Sequence, residues 1–317
     1  MTSQYIFIRV VDHYMSNNEL MRVMFRVDAT EGVALGHLKR CISLANKLLS
    51  FKIDLFFVTA EDSYTKTFLK SLELSHYSTQ AKTNSDEDLN FVIRLAEETS
   101  ANIIIIDSYE IDATYRQYLM DHGLFVVSIS DMVNMEVPAN LIINGNLNAE
   151  TVCKLPEGRE GACGIKYLIL DKKFWCVSEF SSPMEQVDNI LITMGGIDHY
   201  DLTTRILRVL DIINGSFSIT AIVGPYYDNL SSIEKQVKGM KKPVTLVKSP
   251  PSLFDYMQRC SLAFSAGGQT LYELIVLGRP TIGISLWENQ ASNVTELSQK
   301  GALLGLVYRD DPQFDII

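Results

Sequence analysis

Short apolar runs alternate along the chain with longer stretches whose apolar residues recur every three or four positions, the pattern of strands alternating with amphipathic helices. Met21–Ala29 predicts the first clear strand, followed by the loop Thr30–Gly36. A helix from His37 to Leu49 follows, with Leu38, Cys41, Ile42, Ala45 and Leu48 on one face. Ile53–Ala60 predicts the next strand, and helical spacing covers 63–72 and 86–99. Ala101–Asp107 is apolar on both faces, as a central parallel strand is. A helix over 112–122, a strand over 124–130 and a short strand at Leu141–Asn144 complete this half. The alternation predicts one parallel sheet with helices on both faces. Ahead of it, residues 1–20 hold an apolar run, Tyr5–Val11, then polar residues, which reads as an edge strand or an extension.

Residues 147–188 change character, with the charged loop Pro156–Glu160 and the Ser181–Pro183 stretch, and read as the end of one domain and a linker. The expected division is an extension over 1–20, a first domain over 21–180 and a second over 181–317. Alternation resumes with strand Asn189–Met194, the Gly195-Gly196 turn and a helix over 201–213. Strands at 217–223 and 244–248 alternate with helices at 229–239 and 252–259. Leu262–Ala266 is then a strand, Gly267-Gly268 a turn, and a helix begins at Gln269 or Thr270, stopped by Gly278 and Pro280. Strand Thr281–Leu286 leads to a polar loop at Trp287–Gln290, and Asn293–Lys300 and Leu303–Tyr308 supply a last helix and strand. Both halves begin as strand, glycine-containing loop and helix. The repetition predicts two Rossmann-like α/β domains facing across a cleft, the GT-B arrangement.

Composition narrows the chemistry. At 317 residues the chain is long enough for two ordinary domains. A formal net charge of −10 argues against a nucleic-acid backbone or an anionic membrane as main partner. Five scattered cysteines without a Cys-x-x-Cys pair predict reduced thiols and no zinc site. No run reaches the ~18 apolar residues of a membrane span. No basic segment leads an apolar core at the N-terminus, so a cytoplasmic protein without an export signal is expected. The chain stops at Ile317 without a closing helix, which suggests a shortened C-terminal end.

The candidate chemistry gathers at the expected carboxyl ends of strands. Gly267-Gly268 lets backbone approach a phosphate, and the helix behind it offers free N–H groups and a positive end. Glu273, one turn into that helix, is placed to reach a sugar hydroxyl, and Glu288-Asn289-Gln290 to line the same crevice. An ordinary tight βα connection is the plain alternative. Gly195-Gly196 can meet the diphosphate from another side. Leu35-Gly36-His37 opens the first domain's helix. A helix N-terminus disfavours a positively charged side chain, and a neutral imidazole there can take a proton from water. Capping or packing is an equal reading of His37. Asp107-Ser108-Tyr109 follows the Ile103–Ile106 strand: Tyr109 can contact substrate, while an Asp in that place often bonds a neighbouring loop. Ser130-Asp131 takes a comparable place after the next strand and can hold the His37 loop. Gly-x-Gly-x-x-Gly, Gly-Lys-Ser/Thr, metal-ligand spacings and Gly-x-Ser-x-Gly are all missing, so NAD, ATP, a metal and a serine nucleophile lack support.

Phe25–Ala29, Gly36-His37, Arg40-Cys41, Asp107–Tyr109, Gly195-Gly196, Ala266–Thr270, Glu273, Leu277–Pro280 and Glu288–Gln290 together resemble one family. It is that of the UDP-2,4-diacetamido-2,4,6-trideoxy-β-L-altropyranose hydrolases of pseudaminic acid biosynthesis, relatives of the glycosyltransferase that makes lipid II. The resemblance covers about residues 21–308. It implies a GT-B fold, no cofactor, and hydrolysis of a UDP-linked amino sugar to UDP and free sugar. Water attacks the anomeric carbon, the C–O bond breaks and the configuration inverts. His37 would be the base, with Tyr109 and Asn289 as active-site partners. Gly267, Gly268 and Thr270 would meet the diphosphate and Glu273 the ribose. Gly36, Asp107, Gly195, Gly196, Ala266, Gln269 and Gln290 would complete the substrate contacts. The chain departs from the family in Ala34, where the motif has glycine, in the extra residues 1–20, and in lacking the closing C-terminal segment. A GT-B glycosyltransferase using the same donor and a non-catalytic sugar-nucleotide binder are the alternatives.

Overall fold

The computed structural model describes residues 21–27, 29, 35–131, 137–152, 160–175, 186–198, 200–286 and 288–307. The chain divides into two compact units between Asp171 and Lys172. The boundary expected at 180/181 and the extension over 1–20 lie outside the described residues.

The first unit is a seven-stranded sheet in the order β3-β2-β1-β4-β5-β6-β7, parallel throughout. Its strands are β1 (Arg22–Val27), β2 (Asp54–Ala60), β3 (His76–Thr79), β4 (Ile103–Asp107), β5 (Phe125–Ile129), β6 (Leu141–Asn144) and β7 (Glu160–Cys163). Helices α1 (Gly36–Leu49), α2 (Ser63–Ser71), α3 (Asp86–Thr99), α4 (Ala113–Asp121) and the short α5 (Ala149–Val152) connect them. The five residues of β4 are all buried, as their two-sided apolar pattern requires. Each isoleucine in it contributes roughly 1.5–3 kcal/mol of burial. The predicted face of α1 is the one that packs inward: Leu38, Cys41, Ile42, Ala45 and Leu48 are all buried. Arg26 is the buried polar residue of β1. It is wholly buried and meets Asp88 of α3 at 3.2 Å, so the charge is paired.

Two strands escaped the sequence pattern. β3, His-Tyr-Ser-Thr, is too short and polar to signal itself, and β7, Glu-Gly-Ala-Cys, lies where a linker was expected. Each sits at an edge of the sheet and pairs on one side.

The second unit is a six-stranded parallel sheet in the order β10-β9-β8-β11-β12-β13. Its strands are β8 (Asn189–Thr193), β9 (Ser218–Val223), β10 (Val244–Lys248), β11 (Leu262–Ala266), β12 (Thr281–Ser285) and β13 (Leu304–Val307). Helices α6 (Leu202–Ile212), α7 (Leu230–Gly239), α8 (Phe254–Arg259), α9 (Gln269–Val276) and α10 (Glu288–Gln299) alternate with them. The polar stretch at 288–290, expected as a loop, is instead the first turn of α10. Gln290 helps to start that helix: its Oε1 accepts the Leu286 N–H at 3.0 Å.

In each sheet the strand order reverses beside the first strand of the unit, between β1 and β4 and between β8 and β11. Open α/β sheets bind ligands at such switch points.

Candidate active site

At the switch point of the first sheet, β1 and β4 end in register, Val27 beside Asp107. Asp107 is wholly buried, and Oδ1 of its carboxylate bonds Nδ1 of His37. His37 is the second residue of α1 and Arg40 lies one turn on, so both side chains face the same strand end. Arg40 holds Asp107 with two bonds, from Nε to Oδ2 at 2.6 Å and from a terminal nitrogen to Oδ1 at 2.7 Å. Its other terminal nitrogen bonds Asp131, which follows β5. Asp131 in turn accepts the hydroxyl of Tyr109 at 3.0 Å. The Tyr109 ring meets the His37 ring edge to face, with centroids 4.6 Å apart. Cys41 completes the group, its Sγ 3.6 Å from Oδ2 of Asp107.

The electrostatics decide the proton positions. Burial alone would raise the Asp107 pKa. The Arg40 charge and then His37 outweigh it and hold the carboxyl well below its usual range. Asp107 is therefore an acceptor, and the Nδ1 of His37 donates to it. That tautomer leaves the lone pair of the neutral ring on Nε2. A guanidinium nitrogen of Arg40 also lies 3.3 Å from Nδ1. Two donors face one another there, so this is a contact and not a hydrogen bond. Burial works against the Arg40 charge, but Asp107 and Asp131 more than restore it. Partial burial and the adjoining Asp131 push the Tyr109 phenol up, so its hydroxyl stays a donor. Burial and then Asp107 push the Cys41 thiol up as well, and it is not a thiolate nucleophile.

The second sheet gathers the glycine loops at its own switch point, where β8 and β11 run in register with Thr193 beside Ser265. Two helix N-termini open there, and they differ. At α6 the Asp198 carboxylate accepts the N–H groups of Leu202 at 2.9 Å and Thr203 at 2.8 Å, so an internal anion already occupies that end. At α9 the N-cap is Gly268, with no side-chain cap and open space where a Cβ would stand. An external phosphate fits the second of these. Gly195, at φ +87°, adopts the left-handed turn that favours glycine, and its side also faces open space.

The sequence expectations separate on this geometry. His37 and Tyr109 come together, and Gly36 opens the same helix. Asp107, expected among the substrate contacts, is turned inward with both oxygens engaged, so its partner is His37. Gly195, Gly196, Ala266, Gly267, Gly268, Gln269, Thr270 and Glu273 gather at the carboxyl edge of the second sheet, Glu273 one turn into α9. Gly267 is a glycine for packing: a Cβ there would come within 2.8 Å of Val294 and 2.9 Å of Gln290 in α10. Gly224 packs against the backbone of Gly196: a Cβ on Gly224 would come within 2.1 Å of the Gly196 carbonyl oxygen. The Oε1 of Gln290 accepts the Leu286 N–H, at the start of its own helix. Asn289 stands in the first turn of α10, and its side chain lies outside the described residues. Asp131, expected to hold the His37 loop, bonds Arg40 of the His37 helix and Tyr109. The role of Arg40 was not legible, although its three-residue spacing from His37 was a signal of a shared face. Among the described residues no group of His, Cys, Asp and Glu is arranged to hold a metal, and no helix is long and apolar enough to cross a membrane.

No family model matches the chain. An uncharacterized protein of Methanocaldococcus jannaschii is 24% identical over 282 residues, covering 85% of this chain and 56% of that protein. The chain therefore spans little more than half the length of that relative. The UDP-2,4-diacetamido-2,4,6-trideoxy-β-L-altropyranose hydrolase of Campylobacter jejuni is 23% identical over 287 residues, covering 89% of this chain and 97% of that enzyme. The resemblance carried by the motifs is thus found across the chain. Among solved structures, MurG of Acinetobacter baumannii superposes with a TM-score of 0.63 at 12% identity, over 90% of this chain and 86% of that one. The chain has the GT-B fold. A GT-B chain carries one Rossmann-like sheet in each half, and here each unit has its own switch point: the His37–Asp107 pair lies at the first, and the α9 terminus without a side-chain cap at the second.

Proposed function

We propose that this protein hydrolyses a UDP-linked 2,4-diacetamido-2,4,6-trideoxy hexose, releasing UDP and the free sugar. The observation that carries the reading is the buried, ionised Asp107 on Nδ1 of His37, which leaves Nε2 as a proton acceptor. The hydrolase of Campylobacter jejuni, similar over nearly its whole length, supports the choice of substrate.

In this reading Nε2 of His37 takes a proton from water as the water oxygen attacks the anomeric carbon. The bond from that carbon to the diphosphate oxygen breaks, and its electron pair leaves with UDP. The anomeric configuration inverts, and the imidazolium returns its proton to solvent. Asp107 stays ionised throughout and stabilises the imidazolium while it exists. UDP departs as an anion and needs little protonation. The N–H groups of Gly268, Gln269 and Thr270 at the start of α9 would hold its phosphates, with Ala266, Gly267, Gly195 and Gly196 shaping the loops around them. Glu273 would accept from the ribose hydroxyls, Tyr109 would contact the sugar, and Asn289 would complete the site.

A glycosyltransferase is the second reading, favoured by the GT-B fold shared with MurG. The same His37–Asp107 pair would then take the proton of an acceptor hydroxyl. The two separate in one experiment: the purified protein is mixed with UDP-2,4-diacetamido-2,4,6-trideoxy-β-L-altropyranose without acceptor and followed by proton NMR. Hydrolysis gives UDP and free sugar, the inverted anomer appearing first. Intact substrate after prolonged incubation, with UDP still bound by the protein, would leave the transferase.

A further inference from the structure

We propose that Arg40 is a positioning residue: it fixes Asp107 against His37 and, through Asp131, ties Tyr109 to the same frame. The kinetic part of this inference rests on the hydrolytic reading, whereas its structural part does not. One guanidinium joins the beginning of α1, the end of β4 and the segment after β5. Its Nε and one terminal nitrogen take both oxygens of Asp107, at 2.6 and 2.7 Å, a fork-shaped match that fixes orientation as well as distance. Its remaining nitrogen takes one oxygen of Asp131, and the other oxygen of Asp131 accepts the Tyr109 hydroxyl at 3.0 Å. Lysine carries a single nitrogen and cannot bridge two carboxylates in this way. The fork is used up inside the protein, so Arg40 is unavailable to the substrate's diphosphate.

The groups facing Asp107 are His37, Arg40 and Cys41 from α1, Tyr109 from its own loop and Asp131 beyond β5. Burial favours a protonated Asp107, and Arg40, followed by His37, is the principal force in the other direction. Without Arg40, this carboxyl would take up a proton far more readily. A protonated Asp107 can donate to Nδ1 of His37 and so stabilise the opposite tautomer, with its proton on Nε2 and no base facing water.

The test uses Arg40→Gln in the full chain, with folding checked by circular dichroism. Nitrogen-15 NMR of histidine-labelled protein reads the His37 tautomer directly. The wild type is expected to show a proton on Nδ1 in the neutral ring, and the variant a mixture of tautomers. With the UDP-sugar substrate, kcat is expected to fall about 10- to 100-fold, as for loss of other groups that orient a histidine, with little change in KM. A new acid limb should enter the pH profile of kcat. A folded variant with the wild-type tautomer and pH profile would overturn the proposal. Should Arg40→Gln fail to fold, Arg40→Lys keeps the charge but not the bridge. Lower kcat with an unchanged KM would support bridging there, and wild-type kcat would refute it. If the wild type itself does not turn over this substrate, the hydrolytic reading fails, and the tautomer measurement still decides the role of Arg40.

Discussion

His37, Asp107, Arg40, Asp131 and Tyr109 form a connected set in which each side chain limits what the next can do. Replacing His37 by Ala removes the base while leaving the second unit's glycine loops intact. Turnover should fall at least ~10²–10⁴-fold, with UDP affinity by calorimetry nearly unchanged. Wild-type-like turnover would exclude His37 as the base. Asp107→Asn makes a separate prediction about stability. The folded state holds the Asp107 pKa below its unfolded value, so its ionisation stabilises the fold above the unfolded pKa of about 4. That contribution is lost as pH falls through the lower, folded value. Urea unfolding should therefore show the variant about 3–5 kcal/mol less stable near neutrality, the cost of leaving a buried charge without its partner. The gap should narrow progressively below about pH 4. A gap independent of pH would mean that packing, not the charge, is responsible.

At the scale of elements, the two glycines that open α9 carry different burdens. Gly267 is held by side-chain contact with α10, and Gly268 caps α9 beside open space. Gly267→Ala is accordingly expected to lower stability by about 1–3 kcal/mol through overpacking against Val294 and Gln290. Gly268→Ala should leave thermal unfolding almost unchanged, because its backbone lies at φ −89° and ψ −160°, open to any residue. Equal losses in the two variants would contradict this division. Glu273→Ala, one turn further along the same helix, should weaken UDP binding in calorimetry, and an unchanged affinity would remove Glu273 from the ribose contact. The helix α6 shows the contrasting case. Asp198 already caps its N-terminus from within, so a glycine loop before a helix is not enough to mark a phosphate site.

Across the whole molecule, each unit is centred on strands covered on both faces. β4 is buried along its full length, whereas β10 at the edge of the second sheet is mostly half-exposed. Amide hydrogen exchange should be slowest in β1, β4, β8 and β11 and faster in β10. Uniform exchange across both sheets would mean that the units open as one body rather than from their edges.

Most of this architecture is legible in the sequence, because strands buried on two faces must be apolar throughout and helices on one face must repeat every three or four residues. Hence β1, β2, β4, β5, β8, β9, β11, β12 and the inward face of α1 follow from pattern alone. β3 and β7 do not, since an edge strand is fixed by pairing with its neighbour rather than by its own side chains. His37, Tyr109 and the Gly267-Gly268 turn were visible as residue types placed at strand ends. Tertiary structure alone decided that Asp107 turns inward, that Arg40 joins it to Asp131, and that Gln290 serves its own helix. The reason is physical: the sequence determines which side chains reach a strand's end, but a hydrogen bond also needs a partner at the right distance. For residues 67 and 91 positions apart, only the folded sheet supplies that partner.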